Sequence, residues 1–158
     1  MNYLLSQSYD VYAAICAVSV LIALFVRDTK WFVYSSLVCV FMFLGWVSYG
    51  LVKSFDTSLS YRYFYYSFCE LIFLIILFKL WDKNWIRHEQ YFFSLVLSTL
   101  LIVLWLGRYI DRHYLDLAST NGIYKLAIQS INGMYAISCI LPIFTLFKDK
   151  RILKTWKS

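Results

Sequence analysis

Residues 31–52 read WFVYSSLVCVFMFLGWVSYGLV, an uncharged stretch bounded by Lys30 and Lys53. A helix needs about 20 apolar residues to cross roughly 30 Å of hydrocarbon. The stretch meets that length. It is continuously apolar, whereas the strands of a membrane barrel alternate over about ten residues. It therefore predicts a transmembrane helix. Four further runs of the same kind flank it: about 9–26, closed by Arg27-Asp28-Thr29-Lys30, then 61–80, 91–107 and 123–147. The fold class expected is all-α, a polytopic bundle of about five membrane-spanning helices. One transmembrane domain fills residues 1–158 and ends in a basic tail at 148–158. The first run is expected to be a retained helix, because residues 1–10 hold no Lys or Arg to make the positive start of a signal peptide.

Composition agrees. The chain of 158 residues is 61% hydrophobic and only 15% charged, with mean hydropathy +0.64. A small soluble domain keeps too much surface to hide that much apolar material. The net charge of +6 is confined to the connections and the tail, which reads as orientation rather than nucleic-acid binding. With five spans, one side collects ten of the fifteen Lys and Arg: Arg27, Lys30, Lys79, Lys83, Arg87, Lys148, Lys150, Arg151, Lys154 and Lys157. The other side has Lys53, Arg62, Arg108, Arg112 and Lys125. The positive-inside rule then puts the N-terminus outside and the C-terminus in the cytoplasm. In a bacterial source this membrane would be the inner one.

Aromatic residues mark the same register. Trp31, Trp81, Trp85 and Trp156 fall at inner helix ends, and Trp46 and Trp105 toward outer ends. The run Tyr61-Arg62-Tyr63-Phe64-Tyr65-Tyr66 reads as an interfacial belt, with a sugar- or base-stacking surface as the alternative. The tail residues Lys148, Lys150, Arg151, Lys154 and Lys157 are expected to touch anionic lipid headgroups, or else a cytoplasmic partner.

Glu70 is the most informative residue, because an ionised side chain near mid-membrane costs about 2.5–3.5 kcal/mol. It is expected to face the bundle, neutral or paired. Tyr63, Tyr66 and Ser67 share its helix face and form a polar stripe. Gln129 and Asn132 lie on a second stripe with Lys125, Gly133 and Ala136. Each stripe reads as a packing face or as the lining of a path. Pro142 is the only proline. It removes the donor to the Ser138 carbonyl and is expected to kink the helix near its cytoplasmic end, as a static kink with a gating hinge as the alternative, the Ser138 hydroxyl helping to satisfy the freed group. Small-residue pairs, Ala13/Ala17, Ser35/Cys39 and Ser94/Ser98, predict close helix approach. Connection 108–122 reads as a short amphipathic surface helix followed by a turn at Asn121-Gly122.

His88 and His113 lie outside the spans, and the four cysteines form no CxxC pair. No nucleophile elbow, phosphate loop or metal-ligand spacing is present. No cofactor or metal site is expected. The functional expectation is a non-enzymatic membrane subunit, associating with itself or with another membrane or cytoplasmic protein. An oligomeric ion or proton channel with Glu70 in the path is the alternative, and a membrane-embedded enzyme comes third.

Overall fold

A computed structural model describes residues 2–56, 60–115 and 120–148, with side chains described over 10–56, 60–115 and 120–143. Five α-helices make up the described chain: α1 (Asn2–Val26), α2 (Thr29–Phe55), α3 (Tyr61–Asp82), α4 (His88–Ile110) and α5 (Asn121–Lys148). No strand occurs among the described residues. Four segments are long and apolar enough to cross a membrane: Thr29–Phe55, Tyr61–Asp82, His88–Leu115 and Asn121–Ile143. The apolar part of α1, Asp10–Val26, is shorter. The tail residues Lys150, Arg151, Lys154 and Lys157, and the side chain of Lys148, lie outside the described part.

In a lipid environment apolar residues do not distinguish inside from outside, so small and polar residues mark the helix faces that pack. On α1 the half-buried Tyr12 and the buried Cys16, Ser19 and Ala23 recur at four- and three-residue spacing. The corresponding buried rows are Trp31, Tyr34, Ser35 and Val38 on α2, Tyr63, Ser67, Phe73 and Leu77 on α3, and Ser94, Leu97, Ser98 and Leu101 on α4. Large residues such as Phe43, Trp46, Phe68 and Val103 point outward. The helices pack as two hairpins, α1 with α2 and α3 with α4. Helix α5 lies against α1, α4 and α2, and α2 touches α3.

Two turns close one end of the bundle. Each uses a left-handed residue, Arg27 (φ 59°) or Asn84 (φ 57°), after the last helical turn. Asp28 N donates to the Ala23 carbonyl (3.1 Å) and Trp85 N to the Leu80 carbonyl (2.9 Å), the bonds of a Schellman stop. Asp28 then caps α2 by accepting from Trp31 N at 3.0 Å. The two turns are tied together by Arg87 Nη2 donating to Asp28 Oδ2 (2.5 Å) and Lys30 Nζ donating to Asn84 Oδ1 (2.7 Å). At the other end Asp56, the C-cap of α2, also caps α3 from four residues before the Ser60 N-cap. Its carboxylate accepts from Ser60 N, Tyr61 N and Arg62 N (3.0–3.2 Å) and from Arg62 Nε at 2.9 Å.

These acids carry a pH signature. Burial alone would raise the Asp28 carboxyl, but the Trp31 N–H and the Arg87 guanidinium outweigh it and hold the group below the usual range. At Asp56 burial is likewise outweighed, by Arg62 and the N–H groups of Arg62, Tyr61 and Ser60. A lowered carboxyl contributes stability that is present above its unfolded pKa of about 3.9 and lost as pH falls through its lower folded value. The bundle is therefore expected to lose stability below about pH 4. Denaturation midpoints of the Asp28→Asn, Asp56→Asn double variant should be lower at neutral pH and fall less on acidification.

Several boundaries differ from the sequence reading. Residues 116–119 lie outside the described part; as far as it is described, the expected surface helix is joined to α4, which runs to Ile110 and continues as a π-helical turn, Asp111–Leu115. The reason is a buried cluster: Arg108 Nη1 reaches Asp111 Oδ2 (2.5 Å) and Thr120 Oγ1 (2.9 Å), Thr120 also bonds Asp111, and Arg108 lies 5.3 Å from the Tyr124 ring centre. Asn121-Gly122 opens α5 instead of forming a turn. Ala13 and Ala17 are exposed; the packing face of α1 is the one carrying Cys16 and Ser19. Trp31, near the start of α2, is fully buried against the bundle.

Gly133 sets the spacing of α5 and α1. A Cβ there would lie 3.3 Å from the Tyr12 ring. Gly133→Leu is expected to destabilise by about 1–3 kcal/mol through overpacking, with Gly133→Ala smaller, as read by detergent-denaturation midpoints.

Candidate functional site: a hydroxyl-linked layer inside the bundle

Three polar clusters occupy the interior. In the first, α1 and α2 serve α5. Pro142 has no N–H, so the helix loses a donor at Ser138, but Ser138 is not left to help itself. Its hydroxyl donates to the Tyr135 carbonyl (2.6 Å). The external help arrives one residue on, at the Cys139 carbonyl, which accepts from Trp31 Nε1 and from Ser19 Oγ, each at 2.6 Å. Ser35 Oγ lies 3.0 Å from Ser19 Oγ. Helix α5 continues through Pro142, held at this level by two other helices.

The second cluster centres on Tyr34, which is fully buried. Its hydroxyl lies 2.7 Å from Ser94 Oγ and 2.6 Å from Ser138 Oγ, joining α2, α4 and α5. The third contains Glu70. Ser98 Oγ lies 2.9 Å from Glu70 Oε2 and 2.6 Å from the Tyr135 hydroxyl, and that hydroxyl is 3.2 Å from the Ser94 carbonyl. The last two clusters share Ser94 and Tyr135, so one chain of polar groups runs from Glu70 near the middle of α3 to Tyr34 in the second turn of α2. A buried polar group without a partner costs on the order of 1–3 kcal/mol, and this arrangement gives the hydroxyls of Tyr34, Ser94, Ser98, Tyr135 and Ser138 partners.

The polar stripe on α3 takes up three environments. Tyr63 is buried beside Trp105 and Tyr109, at ring separations of 6.2 and 6.3 Å. Tyr66 stacks on Trp105 at 4.9 Å. Ser67 is buried, and its hydroxyl has no partner among the described residues. On α5, Asn132 is buried and Gln129 half-buried, while Lys125 is exposed. The contacts of Glu70 are made to other residues than the α5 stripe expected from the sequence. Ser98 and Tyr135 stand in that place.

Sequence reasoning passed over Tyr34, Tyr135 and Trp31 as partners of the chain. The available signal was their position: a tyrosine well inside a span has no water for its hydroxyl and must bond to another helix. Ser94 and Ser98 were expected as close-packing residues, and they pack with their hydroxyls bonded. His88 accepts from Trp81 Nε1 at 2.9 Å, and His113 Nε2 lies 2.8 Å from Ser60 Oγ, so the histidines tie helix ends together.

An apolar cavity of about 340 Å³ opens between the ends of α2 and α3 at Leu51, Phe55, Tyr61 and Tyr65, away from Glu70. Cys16 and Cys139 are buried neighbours with free thiols. Among the described residues no three His, Cys, Asp or Glu side chains converge as a metal site. No protein-family model matches the chain, and comparison with curated proteins and with solved structures finds no similar protein.

Proposed function

We propose that the protein is a non-enzymatic integral membrane subunit, acting within a homo- or hetero-oligomeric membrane complex. The observation that carries this reading is how the bundle spends its polar groups. The interior hydroxyls of Ser19, Ser35, Ser94, Ser98, Ser138, Tyr34 and Tyr135 are engaged within the chain, and the described connections are short. A rigid bundle of this kind offers its lateral surface as the means of acting. Phe43, Trp46, Phe68 and Val103 on that surface are open to lipid or to a partner helix. The N-terminus is outside, the C-terminus cytoplasmic, and the basic tail contacts anionic headgroups or a cytoplasmic partner. In a bacterium the location is the inner membrane.

Native mass spectrometry of the protein released gently from its own membrane tests this reading. A mass above that of the 18.8 kDa chain, as a multimer or with a distinct partner, is expected. A monomer under every lipid condition would remove it.

A second reading, a proton-conducting oligomer with Glu70 in its path, has one observation in its favour. The linked groups Glu70, Ser98 and Tyr135 are the kind of chain along which a proton moves. Proton flux into vesicles that is lost in Glu70→Gln supports it, and equal flux in the two proteins excludes it.

A further inference from the structure

Counting protons along the polar chain singles out Glu70. Three contacts connect Glu70 Oε2, Ser98 Oγ, the Tyr135 hydroxyl and the Ser94 carbonyl, at 2.9, 2.6 and 3.2 Å. A hydroxyl has one proton to donate. Ser98 and Tyr135 together supply two, for three contacts. If Glu70 is ionised, Ser98 donates to it and Tyr135 donates to Ser98. Nothing then remains for the Ser94 carbonyl. If Glu70 carries a proton, all three bonds form in one direction: Glu70 to Ser98, Ser98 to Tyr135, Tyr135 to Ser94.

The adjoining branch needs no such addition. Ser94 donates to Tyr34, Tyr34 to Ser138, and Ser138 to the Tyr135 carbonyl. Three hydroxyls make three bonds. The Trp31 cluster has three donors, from Trp31, Ser19 and Ser35, for four contacts, and it closes because the single Trp31 N–H is shared between Ser19 Oγ and the Cys139 carbonyl. The Glu70 branch alone contains a carboxyl, the group that can take up the missing proton.

The surroundings agree. Glu70 is faced by Ser98 from α4 and Tyr135 from α5; Tyr34 of α2 stands beyond Ser94, and Cys69 adjoins it on α3. The described ion pairs are Arg62–Asp56, Arg87–Asp28 and Arg108–Asp111, so no cation pairs with Glu70 among the described residues. A carboxylate with a single donor and no cation is costly in hydrocarbon.

We propose that Glu70 is a proton-binding site, loaded in this packed arrangement, whose occupancy sets the direction of the Ser98–Tyr135 chain. On release the proton passes to water. The Ser98 hydroxyl turns from Tyr135 to Glu70, the Tyr135 hydroxyl turns from Ser94 to Ser98, and one bond between α5 and α4 is given up. Proton occupancy is thereby coupled to the docking of α5 on α4. The site does not depend on the assembly reading, since a subunit that conducts nothing can still bind a proton.

The chain has only two glutamates, Glu70 and Glu89, and Glu89 is exposed in the first turn of α4. Solid-state NMR of the full chain in bilayers, with glutamate labelled with carbon-13 at the side-chain carboxyl, therefore resolves the site. At neutral pH one signal should be that of an ordinary carboxylate and the other that of a protonated acid, converting as pH is raised. Glu70→Gln should remove the second signal. If that variant fails to fold, Glu89→Gln should remove the first and leave the second. Two carboxylate signals at neutral pH would overturn the proposal, as would a protonated signal that disappears with Glu89.

Discussion

Replacing Asp111 with alanine is expected to destabilise the bundle by about 3–5 kcal/mol, the range for removing one partner of a buried ion pair. Arg108 and Asp111 are 8% and 3% exposed, with Arg108 Nη1 at 2.5 Å from Asp111 Oδ2. Without Asp111 the guanidinium keeps Thr120 Oγ1 and the Tyr124 ring as near partners among the described residues. The positive charge then stays buried with no carboxylate beside it among those residues. Asp111→Asn retains an acceptor for Arg108 and Thr120, so its cost should be smaller. Unfolding from mixed micelles by a denaturing detergent measures both. Equal and small effects would mean that water reaches Arg108 and that the cluster does not hold the α4–α5 junction.

The second large effect is expected at Trp31. Trp31→Ala removes a fully buried ring, a change costing about 3–5 kcal/mol in packed interiors, and takes a donor from the Cys139 carbonyl. Lipid changes the transfer part of that cost, but the lost dispersion contacts and the cavity remain. Trp31→Phe isolates the hydrogen bond. Ser19 still donates to the same carbonyl, so a cost of about 0.5–1.5 kcal/mol is expected. The Trp31→Phe, Ser19→Ala double variant should cost more than the sum of its parts, because only then does the carbonyl beside the proline turn lose both donors. The same unfolding assay reads all four proteins.

These two clusters show what the sequence made legible. The helices could be found, because a continuous apolar run needs only to be long enough to cross hydrocarbon. Which face of each helix turns inward was harder to see. Hydrophobicity does not rank faces when lipid is the solvent, and Ala13/Ala17 looked as good a packing pair as Ser94/Ser98. The structure buries the serines and exposes the alanines, since the serines have hydroxyls that need partners and the alanines do not. Glu70 could be singled out because a charge in mid-span is costly. Its partners could not, because Ser98 and Tyr135 lie 28 and 65 residues away along the chain and are brought near only by the packing of α4 and α5 on α3. Asp56 and Asp111 belong to no motif, and in the structure they cap α3 and neutralise Arg108. In both, the partner is set by the turn of the backbone rather than by a motif.

Five helices crossing one membrane, with α1 the shortest apolar segment among them, is the topology proposed for this chain. Single cysteines at Asp10, Ser54 and Lys83, all exposed positions, probe this directly with a thiol reagent that does not cross the membrane, applied to intact cells. Labelling at Asp10 and Ser54 from outside, with Lys83 reached only after the membrane is opened, is the predicted result. Labelling at Ser54 but not at Asp10 would mean that α1 does not cross, and the five-span bundle with its ends on opposite sides would be wrong.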